Sequence, residues 1–249
     1  MDLNGKACLI TGGTKGIGQA TAIEFARLGA DVAITGRKHD DEAKRTIEQV
    51  QQLGRRCELI LGDMADKREG ARYVNETVAR LGGIDVLVHS AGGPVNGGLL
   101  EITEETWYTA FEVHVHAVFH LCRAAIPHLR KKKEGAIVLV SSSAGKRAIR
   151  SNIAYQAVKG ALPHLTRALA FEFADDNVRV NCVAPGVIRT AFHQHMPEHV
   201  RENNLKNRIP LHREGTIEQV ASLIREMATN DYVTGETFSI DGGLTMRIC

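Results

Sequence analysis

At 249 residues, 43% hydrophobic and 24% charged, the chain can bury a large core as one α/β domain and needs no metal or disulfide staple. Its formal charge of +2 is too small for a nucleic-acid footprint, and the basic run Arg130 to Lys133 reads as the solvated end of a helix. Cys8, Cys57, Cys122, Cys182 and Cys249 are widely spaced and odd in number, which suits reduced thiols of a cytoplasmic protein, and no basic leader or bilayer-length apolar run implies secretion or membrane insertion.

The first apolar run, Ala7 to Ile10, leads into Thr11-Gly12-Gly13-Thr14-Lys15-Gly16-Ile17-Gly18. Glycines here let the backbone turn tightly and approach a pyrophosphate, whose charge is met by N–H groups at the start of the following helix. That helix carries an apolar face (Ala20, Ile23, Phe25, Ala26, Leu28) and stops at Gly29. Asp31 to Thr35 is the second strand, and its exit bears on cofactor choice. A free adenine-ribose 2′-OH usually meets an acid about 20 residues after the glycines. No acid stands at Thr35 or Gly36; Arg37, with Lys15 in the turn, offers cations for the extra phosphate of NADP(H). NADP(H) is therefore the expected cofactor. NAD(H) is the alternative, with Arg37 and Lys38 solvated and Asp40 or Asp41 reaching an NAD ribose.

A charged helix from about His39 to Leu53 precedes strand three, Cys57 to Leu61, which ends in Gly62-Asp63-Met64. Asp63 either caps the next turn of the chain or meets the adenine at the strand's carboxyl end. After a helix from Asp66 to Leu81, strand four, Ile84 to Val88, runs into His89-Ser90-Ala91-Gly92-Gly93. Thr103-Glu104-Glu105 opens a long helix to about Leu129, weakened near its end by Pro127. His116 and His120 lie four apart on it, but no carboxylate or cysteine completes a metal site nearby, and none is expected.

Strand five, Ala136 to Val140, ends in Ser141-Ser142-Ser143, and the next helix places Tyr155 and Lys159 one turn apart on one face. Pro163 removes the helical bond to the Lys159 carbonyl and should bend the helix there. Strand six, Val178 to Val183, ends in Ala184-Pro185-Gly186-Val187-Ile188-Arg189-Thr190. Residues 191–213 read as a polar lid in which His193, His195, His199, Arg201 and Arg208 could attract an anion. Thr216-Ile217-Glu218-Gln219 is a capping box for a helix to about Ala228, and Thr237 to Asp241 is a seventh strand. The alternation predicts one doubly wound Rossmann domain, a seven-stranded parallel sheet with helices on both faces and ligands at the strands' carboxyl ends.

The set of Thr-Gly-x-x-x-Gly-x-Gly, an Ala91-Gly92 turn, Ser142, Tyr155-x-x-x-Lys159 and Pro185-Gly186 resembles the short-chain dehydrogenase/reductase family over essentially the whole chain, and within it the 3-oxoacyl-carrier-protein reductase type. The resemblance implies hydride transfer between nicotinamide and a carbonyl or secondary alcohol. Tyr155 would be the proton donor or acceptor, Lys159 its partner and Ser142 the hydroxyl holding the substrate oxygen. It also implies cofactor contacts from Gly12, Thr14, Lys15, Gly16, Ile17, Gly18, Arg37, Asp63, Met64, Ser90, Ala91, Gly92, Tyr155 and Lys159. Pro185, Gly186, Ile188 and Thr190 would hold the carboxamide, and a homotetramer is expected. A free phenol titrates near pH ~10, so the nearby ammonium and the oxidised cofactor's ring should lower it. Two departures stand out. His89 and Ser90 replace the family's two asparagines before Ala91-Gly92, and His114 takes the place of an asparagine that supports a relay water. His114 is expected to titrate near neutral pH and to give the rate an acidic limb. Sugar or polyol dehydrogenation is the alternative activity, and a non-catalytic dinucleotide sensor the alternative of another class.

Overall fold

The computed structural model describes residues 1–190 and 196–246. Seven parallel strands form one sheet: β1 (Ala7–Thr11), β2 (Asp31–Gly36), β3 (Cys57–Leu61), β4 (Val86–His89), β5 (Gly135–Val140), β6 (Val178–Pro185) and β7 (Thr237–Ile240). Their spatial order is β3-β2-β1-β4-β5-β6-β7. The order reverses between β1 and β4, which opens a crevice at their carboxyl ends.

Alternation along each strand supplies two cores. Leu9, Leu87, Ile137 and Leu139 face one side, packed with Tyr73, Val118, Leu121 and Leu162. Cys8, Ile10, Val88 and Val138 face the other, against Phe25, Val220 and Ile224. The covering helices are α1 (Gly16–Arg27), α2 (Asp41–Gln52), α3 (Glu69–Leu81), α4 (Glu104–Phe111), α5 (Ala117–Lys132), α6 (Ile153–Glu172) and α8 (Ile217–Thr229), with a short α7 (Glu198–Asn203). The four described cysteines are free and buried, while Cys249 lies outside the described residues.

The structure adds detail at three places. The long helix from Thr103 is interrupted by a π-helical turn, Glu112–His116, between α4 and α5. The helix α6 runs on through Pro163. The Lys159 carbonyl that the proline leaves without its helical donor instead accepts the Ser141 hydroxyl at 2.6 Å, so the vacated bond is replaced from β5. In the expected lid, residues 198–208 are helical, as α7 followed by a second π turn, Asn204–Arg208.

The capping box is present: the Thr216 side chain accepts the Gln219 N–H, and the Gln219 side chain accepts the Thr216 N–H. The basic run ends α5, where Arg130 pairs with Asp176 at 3.1 Å and Lys132 with Asp85 at 2.7 Å. No helix among the described residues is long and apolar enough to cross a membrane.

Candidate active site

The glycine turn and the Ser90–Gly93 turn meet at the crevice. Gly12 has φ +65°, and a Cβ there would lie 2.8 Å from the Ala91 Cα; one on Gly18 would lie 2.3 Å from the Gly12 carbonyl oxygen. Only bare backbone packs this tightly, and it leaves the first turn of α1 open at the crevice. Lys15, the residue before that helix, gives no side-chain cap, and its first turn holds no acid. Its N–H groups therefore suit a phosphate. Thr14 orders the turn through its carbonyl, which accepts the Thr46 hydroxyl at 3.0 Å. Ile17 packs on the core.

The two expected cations differ. Lys15 is paired with Glu42 at 3.0 Å, whereas exposed Arg37 has no ion pair among the described residues. Asp40 is engaged as the cap of α2, accepting the Ala43 N–H at 3.0 Å, and Asp41 lies 3.4 Å from Lys44. Asp63 caps the turn after β3, where its carboxylate accepts the Ala65 N–H at 3.0 Å. The Met64 side chain is buried in the core, which leaves its main chain for a ligand.

Ser142, Tyr155 and Lys159 converge at the end of β5. The Ser142 hydroxyl accepts the Ala144 N–H at 3.1 Å and is hydrogen-bonded to Tyr155. Lys159, 6% exposed, donates to the Val140 carbonyl at 2.8 Å, and its Nζ stands 5.7 Å from the centre of the Tyr155 ring. Burial brings the lysine down to about 8. Burial also raises Tyr155, against the lowering effect of Ser142, so in the protein alone the phenol is held above its ordinary value, opposite to expectation. A Cβ on Gly145 would strike the Lys159 main chain at 2.6 Å, which fixes the turn after Ser142 against α6. Gly97 bonds the backbone of Ser151 and Ile153 at 2.8 and 3.2 Å, tying the 93–100 loop to the start of the tyrosine helix.

Beyond β6, the Gly186 N–H donates to Ile240 at 3.0 Å, and a Cβ on Gly186 would lie 2.7 Å from the Asp241 Cα, so Pro185-Gly186 is pinned to β7. Buried Ile188 bridges to Gly215, and Thr190 lies close to Gly16. The two ends of the expected dinucleotide site thus face each other. In the expected anion set, Arg201 pairs with Glu214 at 2.9 Å, a carboxylate it shares with Arg189 at 3.2 Å, and Arg208 donates to Asn204. His193 and His195 lie outside the described residues.

His114 is 1% exposed, and its ring edge approaches Tyr155 with centroids 6.1 Å apart. Burial, with Lys159 and His89 alongside, brings it down to about 2. The expectation of titration near neutral pH is therefore corrected: the ring is neutral throughout the working range. His116 pairs with Glu112 at 3.1 Å, the carboxylate that sequence inspection overlooked, yet no group of three metal-ligating side chains forms among the described residues.

Residues 12–245 match the family model described as enoyl-(acyl carrier protein) reductase. A 3-oxoacyl-[acyl-carrier-protein] reductase, FabG, of Thermotoga maritima is 37% identical over 248 residues, covering 99% of this chain and all of that protein. The chain belongs to the short-chain dehydrogenase/reductase family.

As a short-chain dehydrogenase/reductase it is an oxidoreductase of alcohol and carbonyl groups that uses a nicotinamide cofactor. Dehydrogenase/reductase SDR family member 4 of Bos taurus is also 37% identical, over 97% of this chain and 88% of its own. The L-sorbose reductase of Gluconobacter frateurii, solved with NADPH and L-sorbose, superposes over the full length of both chains with a TM-score of 0.91 at 27% identity. Sequence reasoning missed two residues of this site. Ser141 was hidden among three serines, although Pro163 signalled that the Lys159 carbonyl needed a donor. His89 was noted as a replacement, but its burial beside His114 carried no local signal.

Proposed function

We propose that the chain is an NADP(H)-dependent reductase of ketones or 3-oxoacyl thioesters, able to oxidise the corresponding alcohols in reverse. The observation that carries this reading is the convergence of Ser142, Tyr155 and Lys159 at the open end of the sheet, beside a glycine cradle that side chains would fill. The cradle fits a dinucleotide: its pyrophosphate would lie over Gly12, Gly16 and Gly18, its adenine end near Asp63, and its carboxamide near Pro185, Gly186, Ile188 and Thr190. When bound, the cofactor supplies or takes the hydride.

Ser142 would hold the substrate oxygen and donate where negative charge grows as the carbonyl is reduced. Tyr155 would give that oxygen its proton, or take it in the reverse direction. Lys159, already a donor to Val140, would hold the nicotinamide ribose and favour the phenolate by its charge. Neutral His114 would support the relay that restores the Tyr155 proton, since imidazole can donate and accept. Unpaired Arg37 supports NADP(H), because a guanidinium grips a 2′-phosphate in bidentate fashion.

Turnover of a panel of ketones, 3-oxoacyl thioesters and their alcohols, with NADPH and with NADH, tests the reading. The expected result is NADPH oxidation with ketones or 3-oxoacyl thioesters. Preference for sugars or polyols would transfer the assignment to the second reading, which the likeness to L-sorbose reductase favours. NADPH binding without turnover of any substrate would make the chain a sensor.

A further inference from the structure

Two buried histidines cross between the elements that frame the site. His89, at the end of β4, is 1% exposed; its Nδ1 is 2.9 Å from the Thr11 hydroxyl, and its ring faces the backbone of Val113 in the π turn. His114, within the π turn, reaches back to the Gly93 backbone and packs against Gly92, where a Cβ would come within 2.0 Å of its Cε1. Each imidazole thus leaves one element and addresses the main chain of the other. Burial keeps both rings neutral, and His89 Nε2 and His114 Nδ1 are buried with no hydrogen bond of regular geometry among the described residues.

We infer that His89 and His114 act as a reciprocal latch, locking the cofactor-facing Ala91–Gly93 turn to the π turn and so setting the position of Tyr155 and Lys159. They are positioning residues, and the π turn is the form of helix that the latch requires. A regular α-helix from Thr103 would rotate His114 and the Val113 backbone by part of a turn relative to β4. Gly92 is part of the same device, since any side chain there would take the space of the His114 ring. Thr11 anchors the other end, because its oxygen also accepts the Ala91 N–H at 3.2 Å.

The latch rests on the catalytic reading of Tyr155 and Lys159, but it can be tested separately. Asparagine carries its polar atoms at about the reach of Nδ1 and glutamine at about the reach of Nε2. With NADPH and the best carbonyl substrate, H89N keeps the Thr11 contact and should lower kcat about 10-fold with little change in KM. H89Q keeps the reach to Val113 and should stay within about threefold. H114A should fall by a similar factor to H89N, and H89N/H114A should be no slower than the slower single variant, because the two rings serve one latch between the same two elements. Wild-type kcat in H89N, or a double variant slowed by the product of the single effects, overturns the latch. Amide hydrogen exchange decides it without turnover: in H114A, or in H89N if H114A does not fold, residues 91–93 and 112–116 should lose protection together. Unchanged protection of the other element's segment overturns the proposal even if the chain reduces no carbonyl, and an inactive wild type with a coupled loss of protection removes only the catalytic reading.

Discussion

Arg37 is an exposed cation at the exit of β2 with no ion pair among the described residues. Arg37→Asp should raise KM for NADPH at least 10-fold while changing KM for NADH little, because it puts an anion beside the 2′-phosphate. Steady-state kinetics with both cofactors check this, and a wild type that already prefers NADH contradicts it. At His114 burial removes the pH dependence expected of an ordinary imidazole. A ring held near 2 cannot produce a limb between pH 5 and 8, so wild-type activity should show no acidic limb of its making. His114→Asn should keep most of the rate with the same profile, and His114→Ala should be about 10-fold slower at every pH. An acidic limb in wild type that His114→Asn removes would restore the titrating ring. Ser142, Tyr155 and Lys159 were singled out through the family resemblance of the whole motif set, since the Tyr155 and Lys159 pair alone is common on solvated helices, and the structure brings the three together. The ionisation of His114 was not legible, because it depends on burial by residues far away in sequence.

At the scale of elements, the helix–strand alternation, the strand positions and the Thr216 capping box could be read directly, since period and capping chemistry are local properties. The π turn could not: Glu112-Val113-His114-Val115-His116 holds no glycine or proline to mark it, and it packs against the distant α6. The donor that replaces the bond lost at Pro163 could not be read either, because Ser141 donates from another element. Two predictions belong here. Gly18→Ala should weaken NADPH binding at least 10-fold in a fluorescence titration, as its methyl would press on the Gly12 carbonyl; unchanged affinity contradicts the cradle. Ser141→Ala should lower stability by about 1–3 kcal/mol in urea unfolding, because a buried carbonyl loses its donor.

Across the whole molecule, the strand order and the reversal between β1 and β4 place every candidate residue at one end of the sheet, as parallel crossover connections require. His89 and His114 titrate at about 3 and about 2 when folded, against an ordinary 6.5. The unfolded chain therefore binds more protons below pH ~6.5, and stability should be full above that pH and fall as pH drops toward 3, with a slope approaching two protons. Urea unfolding from pH 7 to 4 should show this, and H89N/H114N should flatten it; an equal slope in that variant contradicts the buried neutral pair. Exposed Tyr108 and Phe119 on α4 and α5, and Phe238 on β7, are apolar surface that the homotetramer expected from the family resemblance could cover, and sedimentation at micromolar concentration tests that expectation. The central claim is that Tyr155 moves the substrate proton in a site built to bind NADPH. Tyr155→Phe measures it most directly, by turnover and NADPH affinity in the same preparation. Turnover should fall about 1,000-fold or more while NADPH affinity stays within about threefold. Near-normal turnover by Tyr155→Phe with intact NADPH binding would contradict the account.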